Sequence, residues 1–210
     1  MSDLTKTKVD VVRSMYFDQE EILRGIMTLH SPQGFECDMT YGNGVFWKNL
    51  PQPRLKFDIN PQVDGVIQAC SSSLPIETGT LQSVVFDPPF LTYIRDGREG
   101  NGAMVMAKRF AGYWRYDELE NHYIKTIREA RRVLKTGGVM VFKCQDIIHN
   151  HRMHCTHASV IDWAAAERFR LADLFVLPAK HRLPSPNRAG IQKHARIFHS
   201  YFLVLEKGKS

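Results

Sequence analysis

The stretch Val84 Val85 Phe86 Asp87 Pro88 Pro89 Phe90 constrains this chain more than any other. Two β-branched valines and a phenylalanine, with no polar alternation, predict a strand buried on both faces. Successive prolines must end it, because each removes a backbone donor and fixes φ. Asp87 therefore falls at the strand's carboxyl end. In open α/β sheets that is the edge where ligands bind, and here it carries an acid, two rigid carbonyls and an aromatic face.

The chain has 210 residues, enough for one α/β domain with a proper core. Its 43% hydrophobic and 24% charged content is ordinary for a globular protein. No apolar run approaches the length of a membrane span, and Met1 to Asp10 is too polar for a secretory signal, so a cytoplasmic protein without membrane contact is expected. The net charge of +6 makes a polyanionic partner plausible. Cys37, Cys70, Cys144 and Cys155 lie far apart and read as reduced thiols.

Upstream of the motif, Asp18 and Glu21 form a capping-box-like start to a helix predicted over Gln19 to His30, with Ile22, Leu23, Ile26, Met27 and Leu29 on one face. A short strand from Phe35 then meets Asp38 Met39 Thr40 Tyr41 Gly42 Asn43 Gly44, where glycines allow positive φ and close backbone approach to a ligand. A hairpin turn uses the same residue types. Leu55 to Pro61 reads as a second strand ending in Asp58, an acid placed to accept ribose hydroxyls. Val66 to Cys70 reads as a third.

Downstream, residues 91–115 interleave Tyr93, Arg95, Arg98, Lys108 and Arg109 with glycines. Such a loop beside a reactive motif suits gripping a nucleic-acid strand; a surface loop with incidental charges is the plainer alternative. Asp117 with Glu120 predicts a second capped helix, bearing Leu119, Tyr123, Ile127, Ala130 and Leu134 inward and closed by Gly137 Gly138. Val139 to Lys143 should be the next strand, which puts Lys143 or Asp146 on the substrate side. His149, His151, His154, Cys155 and His157 are metal-ligating types, but no second paired spacing completes a recognised site, so a His-rich loop with no metal is expected. Ser159 to Phe169 should be helical and Leu171 to Leu177 a strand. The basic, proline-broken segment 178–196, with Arg182, Arg188, Lys193 and Arg196, precedes a final strand and is a second candidate grip.

The order of these features resembles the S-adenosylmethionine-dependent amino methyltransferases, and Asp87 Pro88 Pro89 Phe90 is similar to their motif IV. Short phage and prophage enzymes that methylate DNA adenine look closest. The resemblance implies a single Rossmann-like class I methyltransferase domain over 1–210, with a mostly parallel doubly wound sheet, an antiparallel last strand and no separate target-recognition domain. It implies that Asp87 and the Pro88 carbonyl hold the exocyclic amino group of a flipped base while Phe90 stacks on it. Asp38, Gly42 and Gly44, helped by Thr40, would flank the methionine end of the cofactor, Asp58 its ribose and Cys70 its adenine. S-adenosyl-L-methionine is the implied cofactor and DNA the implied substrate, with N6 of adenine as target. RNA adenine, cytosine N4, or an inactive nucleic-acid-binding module remain alternatives. A chain this short would read a very short sequence, be promiscuous, or take specificity from a protein partner or a second copy.

Overall fold

The computed structural model describes residues 11–90, 92, 113, 115–179 and 192–209. Seven strands form one sheet: β1 (Cys37–Asp38), β2 (Leu55–Asp58), β3 (Ile67–Gln68), β4 (Leu81–Phe86), β5 (Leu134–Cys144), β8 (Phe169–Pro178) and β9 (His199–Lys207). Their order is β3-β2-β1-β4-β5-β9-β8. β1 to β5 run parallel, and β9 is antiparallel to both β5 and β8. The expected mostly parallel sheet with an antiparallel last strand is therefore what forms. β6 (Ile147–His149) and β7 (Arg152–His154) make a separate hairpin.

Among the described residues three helices cover the sheet: α1 (Gln19–His30), α2 (Tyr116–Val133) and α3 (Thr156–Ala166). Strand alternation divides the core between two faces. Val84, Phe86, Met140 and Phe142 pack with Leu119, Tyr123 and Ile127 of α2 and Val160 of α3. Val85, Val141, Phe202 and Val204 pack instead with Ile22, Leu23 and Ile26 of α1. Each such side chain, fully buried, contributes about 1.5–3 kcal/mol. An edge-to-face cluster of Phe86, Phe142 and Tyr123, with centroids 4.9 to 5.8 Å apart, backs the end of β4.

The half of the sheet before β4 is built differently. The connections 39–54, 59–66 and 69–80 contain no α-helix, only a 3-10 turn at Val45–Trp47. Leaving β1, the chain first builds outward through β2 and β3, then returns to add β4 on the other side of β1. That reversal parts the loops after β1 and β4 and opens a crevice at the strands' carboxyl ends.

Several local expectations need correction. α2 starts at Tyr116, before the expected cap Asp117, because Tyr116 packs against the core and Asp117 is held by Arg115 in an ion pair. The backbone N–H of Arg115 donates to Glu118 Oε2 at 3.3 Å, so the cap lies two residues earlier than Asp117. α1 is capped by Asp18 as expected, but the carboxylate takes the Glu20 amide, and it is Glu20, not Glu21, that ties the first turn to Arg24 and Asn49. Phe169 begins β8 instead of closing α3, since its side chain is needed in the core beside the sheet. β3 is only two residues long and exposed, as suits an edge strand that no described helix covers. No described helix is long and apolar enough to cross a membrane.

Candidate active site

Parallel pairing aligns the carboxyl ends of β1, β2, β4 and β5 on one edge, and register decides which residues meet there. Val85 pairs with Asp38 and with Val141, and Phe86 with Phe142. One step further puts Asp87 level with Lys143. The Lys143 ammonium donates to Asp87 Oδ2 at 3.2 Å and to Gln19 Oε1, at the start of α1, at 2.8 Å. The backbone N–H of Asp87 donates to the Thr40 hydroxyl at 2.9 Å. Tyr123, from α2, donates to the Pro89 carbonyl at 3.1 Å, whereas the Pro88 carbonyl accepts no hydrogen bond among the described residues.

The loop after β1 is anchored on both sides: Met39 N–H donates to the Val85 carbonyl and Tyr41 N–H to that of Phe57. Gly42 and Gly44 have φ of +57° and +78°, a region that disfavours side chains. A Cβ at Gly44 would also sit 2.7 Å from the Tyr41 hydroxyl oxygen. Asp58 clamps the turn, accepting from the amides of Gly42 and Asn60 at 2.8 Å each. Asp38 lies beneath it, 1% exposed, accepting from Thr40 N–H at 2.8 Å and from Trp47 Nε1 at 2.5 Å. Burial pushes its carboxyl up to about 7, although both donors pull the other way.

A cavity of about 620 Å3 runs between these elements. Thr40, Gly42, Asp58, Cys70 and Asp87 to Phe90 line it, so residues far apart in sequence converge on one hollow. Asp38 and Gly44 are not among the residues that line it. Lys143, expected on the substrate side, lines the cavity beside Asp87. Cys70 Sγ lies 3.0 Å from the Ser72 hydroxyl. Asp146 lies elsewhere, accepting from His157 Nδ1 at 2.7 Å and from the Tyr201 hydroxyl at 3.4 Å.

Sequence reasoning missed several lining residues, among them Gln19, Phe46, Ile59, Tyr113 and His122. His122 is bonded to Tyr113 Oη through Nδ1 at 2.5 Å and to Ser71 Oγ through Nε2 at 2.8 Å, and burial lowers its pKa. His122 and Thr126 interrupt the apolar stripe of α2 at helical spacing, a signal that could have marked them.

Of the candidate grips, Tyr93, Arg95, Arg98, Lys108, Arg109, Arg182 and Arg188 lie outside the described residues. Lys193 and Arg196 are exposed and line neither this cavity nor the smaller one beside it. The Arg196 guanidinium rests 5.6 Å from the Phe198 ring centroid. The His-rich segment forms the β6–β7 hairpin: His149 Nδ1 is 3.1 Å from Thr92 Oγ1, and His154 stacks on Tyr116. Among the described residues, no three metal-ligating side chains converge.

No protein-family model and no curated protein matches the chain. Solved structures do. A Galdieria sulphuraria protein assigned as a sarcosine dimethylglycine methyltransferase superposes with a TM-score of 0.53 at 12% identity, over 90% of this chain and 85% of that one. A SAM-dependent methyltransferase from Thermotoga maritima gives 0.51 at 12%, over 91% and 90%. A Thermus thermophilus protein assigned as a DNA modification methylase, in complex with S-adenosyl-L-methionine, gives 0.43 at 18%, over 65% and 51%. The chain spans about half the length of that methylase. The two full-length likenesses show the fold: that of the class I methyltransferases.

Proposed function

We propose that this chain is an S-adenosylmethionine-dependent methyltransferase that modifies N6 of adenine in DNA. One observation carries the reading: the Gly42 turn, the Asp58 carboxylate and the Asp87–Phe90 rim line a single cavity at the reversal point of a class I methyltransferase sheet. Its residues fit the cofactor. Asp58, at the end of β2, offers carboxylate oxygens to ribose hydroxyls, the Gly42 turn lets backbone approach closely, and Cys70 and Ser71 lie where an adenine ring would end. The cofactor supplies an electrophilic methyl group on a sulfonium.

The chain's own residues prepare the acceptor. Asp87 and the Pro88 carbonyl each accept one hydrogen of an amino group, which draws the nitrogen lone pair out of the ring and toward the cavity. Tyr123 occupies the neighbouring Pro89 carbonyl, which leaves that of Pro88 for substrate. Phe90 offers a stacking face to a base turned out of its helix. Transfer is direct, held by geometry. The net charge of +6 favours a phosphate-bearing substrate.

RNA adenine and cytosine N4 present the same kind of ring-attached amino group, and an inactive nucleic-acid-binding module would keep the fold. Incubation with isotopically labelled S-adenosylmethionine and either DNA or RNA, followed by nucleoside mass spectrometry, separates them. Labelled N6-methyladenine from DNA is the expected product. No labelled nucleoside from either polymer, together with calorimetry showing no cofactor binding, would overturn the reading.

A further inference from the structure

A second cavity, of about 500 Å3, adjoins the first and shares Gln19, Phe90 and Lys143 with it. The Lys143 side chain stands at this junction, 12% exposed, with the rings of Phe46 and Phe202 centred 5.3 and 5.4 Å from Nζ. An ammonium has three N–H donors. Two go to Gln19 Oε1 and Asp87 Oδ2, and the third has no acceptor among the described residues. The pairing also divides the carboxylate, because Oδ2 faces the ammonium while Oδ1 remains for an amino hydrogen.

A base held through its amino group at Asp87 must bring its neighbouring ring atoms up to Lys143. In adenine and cytosine the ring nitrogen on the same carbon as the amino group, N1 or N3, carries a lone pair. Guanine and thymine present an oxygen in place of the amino group and an N–H in place of the lone pair. We propose that Lys143 is a specificity-determining residue that donates its third N–H to that ring nitrogen, so that Lys143 and Asp87 together read a lone pair beside an amino group. The assignment rests on the amino-methylation reading above. It gives Lys143 a role beyond holding Asp87, since a mere anchor would be indifferent to the ring atom.

The test compares single-stranded oligonucleotides carrying adenine or 1-deazaadenine, in which C–H replaces N1. A hydrogen bond from a charged donor should make the wild-type protein prefer adenine by roughly 10- to 100-fold. Lys143→Met should slow both reactions and bring their rates within about threefold of each other, while Lys143→Arg keeps part of the preference. 7-Deazaadenine, which retains N1, should track adenine throughout. If the methylated natural base is cytosine, 3-deazacytosine replaces 1-deazaadenine. Wild-type protein that methylates the natural base but treats its deaza form alike overturns the role of Lys143 and leaves amino methylation standing; this comparison decides even if the variants do not fold. Lys143→Met that folds and keeps the full preference also overturns it. No transfer to any natural base sinks both.

Discussion

The amide of Asp87 and the hydroxyl of Thr40 are joined at 2.9 Å, so the loop after β1 and the rim after β4 hold one another in place. Thr40→Val removes the acceptor at nearly constant volume and leaves a half-buried donor unpaired. Denaturant unfolding should show a loss of about 1 kcal/mol or somewhat more. Methyl transfer should fall further than that loss alone explains, because the acid is released from its register. Unchanged transfer in a folded variant would mean that the tie positions nothing.

Asp87→Ala removes the acceptor assigned to the amino group while sparing the cofactor end of the cavity. Transfer should drop by roughly 100- to 1000-fold, the scale of losing one preorganised hydrogen-bonding partner in an active site. Cofactor affinity by calorimetry should stay within about threefold. Transfer near the wild-type rate would remove Asp87 from the chemistry.

Asp58→Ala acts at the opposite end. The carboxylate clamps the Gly42 turn and is assigned to the ribose, so its loss should weaken S-adenosylmethionine binding by roughly 10- to 100-fold. Calorimetry with the cofactor alone measures this without any nucleic acid. An unchanged dissociation constant would leave Asp58 as a turn residue only.

Asp38 makes stability depend on pH. Its folded value, pushed up to about 7 chiefly by burial, lies above the ordinary 3.8 of the free group. Between those values the folded chain keeps a proton that the unfolded chain has released. The contribution is therefore fully present below about pH 4 and is lost as pH rises through about 7, with an upper size of roughly 4 kcal/mol. Asp38→Asn does not titrate. Unfolding at about pH 4.5 and about pH 8 should show the wild type losing ground to the variant by roughly 1 to 4 kcal/mol at the higher pH. A gap that stays constant would contradict the raised value.

What could be read from sequence was what local chemistry decides. α1 runs over Gln19–His30 as expected, because its cap and apolar stripe are contiguous in the chain. β4 ends where Pro88 and Pro89 forbid it to continue. Register was not local: only the pairing of Phe86 with Phe142 shows Lys143 to be level with Asp87. Gln19 reaches the site because α1 packs beneath the sheet, and nothing around it in the chain says so. Asp38 fell in the right loop, yet the buried Trp47 claims its carboxylate, a partner nine residues away across a turn.

The helix-free connections before β4 carry a thermodynamic consequence. Among the described residues no helix covers the β2–β3 edge as α2 covers β4 and β5, and Ile59 and Ile67 there are 57% and 48% exposed. Its amides will take up deuterium well before those of the central strands. Ile59 also lines the larger cavity, so a small molecule seated there would cover part of this edge. Occupancy and order would then rise together, making the thin side of the sheet a structure completed by what it holds.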